Sequence, residues 1–402
     1  MSRSRETMGA IIFYNYIIMQ AYTDDSARRI VLYGGSFNPP HKGHGAIARA
    51  AFRQIRPDIL YVLPNFRTPF KSSEAIDYAN REKMLRLSFG VKLANDPACR
   101  IIPAEAEQKR SVYTFESLMF LKNRHPKADF YILIGSDCLP DFKKWKRWEY
   151  ILDNAKLLVG IRKGFEPEDS ALPFVTLKGV FPKVSSSDIC LSLLLDESAE
   201  GLDPAVEKFI RDTGLYFGKE KKELKRALTA KRYGHSLGVA RLAAGSAGAL
   251  GLSAYSAALA GLFHDCAREY KPEQLKSMDL SGFIDAGRYS AVAENAPVLL
   301  HAAAGARVAR DKYGINDADV LEAIKFHADG AVGMGKLARL IYVCDIAEPG
   351  RRFPESSVIR NIMLTDFEEA FRRTVEFKVS YGKQSKKWIS PASVELWTNL
   401  KN

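Results

Sequence analysis

Arg29-Ile30-Val31-Leu32-Tyr33-Gly34-Gly35-Ser36-Phe37-Asn38-Pro39-Pro40-His41-Lys42-Gly43-His44 is the stretch that decides the fold of the first half of the chain. The apolar run Arg29 to Tyr33 predicts a buried strand, Gly34 and Gly35 a tight turn, and Gly43 to Gln54 an amphipathic helix. Backbone at glycine can approach a ligand closely, and a helix start offers N–H groups at the positive end of its dipole. His41 and His44 stand where they add side-chain donors. Gly34, Gly35, Ser36, Phe37, His41 and His44 therefore form a candidate phosphate cradle.

Further strands are expected at Ile59 to Leu63, Arg100 to Pro103, Phe130 to Ile134 and Leu157 to Ile161. Helical patterns lie between them at Asn80 to Ala94, Thr114 to Arg124 and Lys144 to Asn154. Strict alternation of strand and helix implies an α/β doubly wound parallel sheet, with its ligand at the C-terminal strand ends. The charge run Gly218 to Lys225 (GKEKKELK) marks a linker or a new helix start. Beyond it Ala- and Leu-rich patterns such as Ser236 to Leu250 and Ala257 to Phe263 predict an all-α domain. The expected division is an extension over residues 1–26, a first domain over 27–218 and a second over 219–402.

Fifty-nine Lys and Arg against 47 Asp and Glu give a formal charge of +12, which suits an anionic partner such as a nucleotide. The five cysteines are scattered and form no C-x-x-C pair, so reduced thiols in a cytoplasmic protein are expected. Ala10 to Ala21 is apolar, but it falls short of the roughly 20 residues that span a bilayer. No membrane association is expected. No nucleic-acid-binding pattern stands out either, and the sequence leaves homo-oligomerisation open.

The first half resembles the H-x-G-H nucleotidyltransferases, and among them the bacterial nicotinate-nucleotide adenylyltransferases. Besides the cradle, the resemblance rests on Pro69-Phe70-Lys71, Ser111-Val112-Tyr113-Thr114, Gly135-Ser136-Asp137 with Lys144-Trp145, Val184-Ser185-Ser186-Ser187, and Glu207 to Tyr216. It implies a Rossmann-like fold and transfer of AMP from ATP, carried with Mg2+, to nicotinate mononucleotide. His44, with His41 beside it, would contact the transferring phosphates. Lys71 would bind phosphate, Asp137 a ribose or the adenosine side, Thr114 and Trp145 would form the nicotinate pocket, and Gly135 and Ser186 would also bind substrate. One departure stands out: Cys190 occupies the position where the family's I-S-S-T-x-I-R carries arginine. Losing a guanidinium there would weaken ATP binding by about 1.5–3 kcal/mol unless another cation, such as Lys183, substitutes.

His235, His264-Asp265, His301, His327 and Asp345 all fall in or beside apolar helical patterns of the second half. An ionisable group on an apolar face is costly unless it is paired or metal-bound, so one shared metal site explains the set better than separate buried residues. The set resembles the HD-superfamily phosphohydrolases, in particular the YqeK-type HD proteins, which cleave diadenosine tetraphosphate symmetrically to two ADP. By that resemblance His235, His264, Asp265 and Asp345 would hold one transition metal, and Asp265 would bridge to a second held by His301 and His327. Iron or manganese would suit such donors. Arg268 and Arg351 would hold outer phosphates. His125 alone among the seven histidines has no assigned role. Two other readings remain open: a regulatory nucleotide-binding protein whose transferase is weakened at Cys190, and an HD hydrolase of other nucleotides or RNA.

Overall fold

A computed structural model describes residues 27–65, 76–102, 112–162, 164 and 171–401. The extension over 1–26, the apolar run Ala10 to Ala21 and the candidates Pro69, Phe70, Lys71 and Ser111 lie outside these residues. The chain divides into two compact units. One comprises residues up to Cys190 together with Ser198–Tyr216, and the other Leu191–Glu197 together with Phe217–Asn402.

In the first unit the described elements run β1 (Arg29–Gly35), α1 (Lys42–Ile55), β2 (Ile59–Pro64), α2 (Tyr78–Ala94), β3 (Cys99–Ile101), α3 (Thr114–Arg124), β4 (Asp129–Gly135), α4 (Trp148–Asn154), β5 (Lys156–Gly160), β6 (Phe174–Thr176), α5 (Ser186–Leu194) and α6 (Pro204–Thr213). Every strand pair is parallel, in the order β3-β2-β1-β4-β5-β6. The order reverses between β1 and β4, and a doubly wound sheet binds its ligand at that switch point. Both strands end in glycine there, at Gly35 and Gly135.

Strand alternation builds two cores. Val31, Tyr33, Leu60, Val62 and Leu158 pack against Ile47, Ala48 and Ala51 of α1 and Leu85 and Phe89 of α2. Ile30, Leu32, Tyr61, Ile132 and Leu157 face Phe115, Leu118 and Leu121 of α3 and Ile151 of α4. His125 caps the C-terminus of α3 as a buried residue, its N–H donating to the Leu121 carbonyl at 2.8 Å. Its place is in the scaffold.

Two expectations need correction. The helix over Lys144 to Asn154 starts only at Trp148, because Trp145 is extended and Arg147 is left-handed at φ 54°. Strand β6 was not anticipated; it is three residues long and its Val175 and Thr176 are exposed, so it carries little apolar signal.

The second unit contains α7 (Gly218–Ala227), α8 (Ala230–Ala247), α9 (Ala254–Phe263), α10 (Pro272–Ser277), α11 (Ala286–Asn295), α12 (His301–Asp311), α13 (Ala318–Phe326), α14 (Lys336–Ala347), α15 (Pro354–Ile362), α16 (Phe367–Gln384) and α17 (Pro391–Asn399). It is all-helical among the described residues, and the charge run begins a helix rather than a linker. One core draws on nearly all of it. Small residues let helices approach: a Cβ on Gly261 of α9 would lie 2.7 Å from the Ala240 backbone of α8. No described helix is long and apolar enough to cross a membrane.

Candidate active sites

In the first unit His41 is the N-cap of α1, and no acidic side chain occupies the helix's first turn, so the positive dipole end is uncompensated. The His41 N–H donates to His44 Nδ1 at 3.2 Å, and the two rings stack with centroids 3.7 Å apart. Phe37 meets His44 edge-on at 5.0 Å. The glycine between the histidines leaves room for the ring, since a Cβ on Gly43 would lie 3.0 Å from the His41 imidazole. Burial holds both imidazoles neutral: His41 is pushed down to about 3 and His44 well below its ordinary value, with the Arg162 charge adding to the effect in each. Because His44 Nδ1 accepts, its neutral ring carries its proton on Nε2.

Arg162 was not singled out from sequence. It follows β5, is nearly buried, and pairs with Asp137 Oδ2 at 3.1 Å while its own N–H donates to Ser136 Oγ at 3.0 Å. A Cβ on Gly135 would collide with Asp137 Oδ1 at 2.3 Å and approach Arg162 Nε at 3.2 Å, so glycine makes room for both. That Nε is buried without a hydrogen-bond partner. Lys183, by contrast, reaches toward Gly164. Arg81 of α2 was also missed; its buried guanidinium donates to the Ser36 carbonyl at 3.0 Å and fixes the glycine-rich turn.

Thr114 and Gly34 line an open pocket of about 330 Å³, mouth included, with Leu63, Pro64, Ile102 and Ser117. Trp145 does not line it; the indole packs on Phe142 with centroids 5.1 Å apart. Ser186 Oγ donates to the Pro39 carbonyl at 2.9 Å, and the Cys190 thiol lies 3.8 Å from the Asn38 carbonyl. Both tie α5 to the cradle's turn.

In the second unit the histidine and aspartate set converges. His235 comes from α8, His264 and Asp265 from the end of α9, His301 from the start of α12, His327 from the end of α13, and Asp345 from α14. Asp265 faces two groups of donors. Its Oδ2 lies 3.4 Å from His264 Nε2 and 4.0 Å from His235 Nε2, and Asp345 Oδ1 lies 3.1 Å from His235 Nε2 and 3.9 Å from His264 Nε2. Its Oδ1 lies 3.3 Å from His301 Nε2 and 3.4 Å from His327 Nε2. Donors about 2.1 Å from a tetrahedral ion stand roughly 3.4 Å apart, so both groups have metal-site spacing.

The hydrogen bonds make the same case. His264, His301 and His327 each present Nδ1 at 2.7 Å to the carbonyl three residues back, Gly261, Val298 and Ile324. The proton is thus on Nδ1, and the Nε2 lone pair points inward. His264 Nε2 is buried without a partner, and the His301 and His327 Nε2 atoms face each other at 3.1 Å. Opposed lone pairs repel unless a cation lies between them. The donor set fits divalent metal.

Burial pushes His327 down to about 4. His235 differs: burial lowers it, but hydrogen bonds to Asp345 and Glu348 raise it on balance.

Cations surround the cluster. Arg351 donates to Asp345 Oδ1 at 2.5 Å and Arg232 to Asp265 Oδ2 at 2.8 Å. Arg268 lies 3.5 Å from His301 Nδ1, whose proton the shorter bond to Val298 already takes, so it is a neighbour rather than a partner. Lys378 of α16 donates to the His327 carbonyl at 2.7 Å and lies 3.4 Å from Asp345 Oδ2. Arg232 and Glu348 stand three residues from His235 and Asp345 without a role assigned from sequence, and Lys378 is brought to the cluster only by folding.

The comparisons with known proteins follow the same division. Residues 32–190 match the cytidylyltransferase-like family and residues 232–350 the HD domain, a type that depends on divalent metal. A Mycoplasma genitalium protein named "Probable nicotinate-nucleotide adenylyltransferase/Ap4A hydrolase" is 26% identical over 328 residues, 81% of this chain and 89% of that one. A Leptospira borgpetersenii protein named "Probable nicotinate-nucleotide adenylyltransferase" is 32% identical over 191 residues, 46% of this chain and 95% of that one. The crystal structure titled as a predicted HD superfamily hydrolase involved in NAD metabolism, from Clostridium acetobutylicum, is 31% identical with a TM-score of 0.43, covering 46% of this chain and 96% of that one. Through its first unit the chain belongs to the nicotinate-nucleotide adenylyltransferase family, and its second unit carries an HD domain.

Proposed function

We propose that the chain is a bifunctional enzyme of NAD biosynthesis. Residues 27–218 transfer AMP from ATP to nicotinate mononucleotide, giving nicotinate adenine dinucleotide and pyrophosphate. Residues 219–402 hydrolyse dinucleoside polyphosphates, splitting diadenosine tetraphosphate into two ADP. The observation that carries this reading is the coexistence of a phosphate cradle built on a helix start and a converging set of four histidines and two aspartates at metal-ligand spacing, supported by relatives whose names pair the same two activities.

In the transfer, a phosphate oxygen of nicotinate mononucleotide bonds to the α-phosphorus as the bond to the β-phosphate breaks. The attacking group arrives as an anion, so positioning and charge stabilisation carry the rate. His44 Nε2–H is the donor for the transferring phosphoryl group, with His41 stacked against it. Arg162 supplies the positive charge missing at Cys190, and Lys71 adds a second. Asp137, held by Arg162, binds ribose, and Thr114 bounds the nicotinate pocket. Gly34, Gly35, Ser36 and Phe37 shape the turn that Ser186 ties down. Magnesium enters with ATP.

In the hydrolase, His235, His264, Asp265 and Asp345 would hold one ion and Asp265, His301 and His327 the other, with iron or manganese suiting the donors. Such ions polarise phosphate and lower the pKa of a bound water. Arg232, Arg268 and Arg351, which border the cluster, would take the outer phosphates. The five free thiols support a cytoplasmic setting.

The test assays the intact protein first with ATP, nicotinate mononucleotide and Mg2+, then with diadenosine tetraphosphate and Mn2+ or Fe2+. Dinucleotide and ADP respectively are expected. Failure to form dinucleotide would overturn the first half of the reading, and tetraphosphate left intact by metal-loaded protein the second.

A further inference from the structure

Three of the four clustered histidines are oriented by a neutral backbone carbonyl, and His235 alone by a carboxylate. Glu348 Oε1 lies 3.0 Å from His235 Nδ1, and its Oε2 accepts the Gly350 N–H at 2.6 Å. The carboxylate is buried at 4% exposure. Its place is made by missing side chains: a Cβ on Gly238 of α8 would lie 2.6 Å from Glu348 Oε2, and one on Gly350 2.9 Å from it. A carboxylate behind an imidazole raises its basicity as a ligand, and removing such a partner typically costs 10–100-fold in metal affinity.

We propose that Glu348 is a positioning residue that makes the two metal positions unequal: the one containing His235 binds tightly, and the one built on His301 and His327 exchanges readily. Donor sets agree with this. The His235 position draws on two carboxylates, Asp265 and Asp345, and the other on Asp265 alone. The proposal rests on the two-metal reading above and adds to it an order of filling.

The experiment strips the full-length chain with chelator and titrates it with Co2+, reading visible absorption and bound metal by mass spectrometry. Wild type should fill in two steps. Glu348→Gln, nearly isosteric, should weaken the first step about 10–100-fold and leave the second unchanged. The weakening should persist when His301→Gln has disabled the second position and vanish when His235→Gln has disabled the first. Should Glu348→Gln fail to fold, Gly238→Ala displaces the same carboxylate without removing it, and the same weakening of the first step is expected. Two bound ions with unaltered steps in the folded variant, or a shift that survives His235→Gln, would overturn the proposal alone. A chain that binds no Co2+ at all would overturn the metal-centre reading beneath it.

Discussion

The two sites handle phosphate by opposite constructions. The first is assembled from consecutive residues, Gly34 to His44, and uses backbone, a helix end and imidazoles that stay neutral. The second gathers side chains from five helices around a buried carboxylate. A cradle of the first kind tolerates loss of one cation when another lies near. A metal site of the second kind does not tolerate loss of its shared ligand.

The largest effect should therefore come from Asp265→Asn, which removes the ligand common to both donor groups. Bound metal and tetraphosphate hydrolysis should be lost, beyond the 10–100-fold of an outer partner, while dinucleotide synthesis stays at the wild-type rate. Loss of both activities would mean the sites are not independent. Next is His44→Ala, expected to lower kcat for adenylyl transfer about 10²–10³-fold, as removing one transition-state donor does. Arg162→Ala should raise KM for ATP by roughly 10- to 150-fold, the equivalent of about 1.5–3 kcal/mol. In that background Cys190→Arg should recover part of the loss. No change in KM on removing Arg162 would return Cys190 to the centre of the problem.

The smallest expected effect is on stability between pH 7 and 5. His41 and His44 are neutral when folded but take up protons near pH 6.5 when unfolded, so stability of the first unit falls as pH drops through 6.5 toward their folded values, about 3 for His41. In the metal-free second unit His327 acts in the same direction, from 6.5 toward about 4. His235 acts oppositely, its contribution being present below 6.5 and lost as pH rises through its raised value. The first unit should be the more acid-sensitive. Hydrogen exchange read separately over β1–β5 and α8–α14 at pH 7 and pH 5 checks this, and equal loss in both would count against it.

The same contrast governs what could be read from sequence. The cradle is local, so its strand, turn, helix and two histidines follow from one string. The six candidate metal ligands stand out in the sequence as polar residues in apolar patterns. Arg81, Arg162 and Lys378 do not, because each is a surface-type residue by sequence that folding brings to its site, and Arg232 and Glu348, three residues from His235 and Asp345, give no sign of their partners Asp265 and His235. For Trp145 the resemblance implies a place at the nicotinate ring, and in the structure its indole packs on Phe142 while Thr114 lines the described pocket.

His264, His301 and His327 each bond the carbonyl three residues behind them. Each ligand thus carries its own aiming device within a single helical turn, and none relies on the intervening chain for direction. Segments between the histidines are then free to lengthen, shorten or change partners over evolutionary time without re-aiming a ligand. Aim for these three is thus settled locally, and the fold has only to bring the turns together around Asp265.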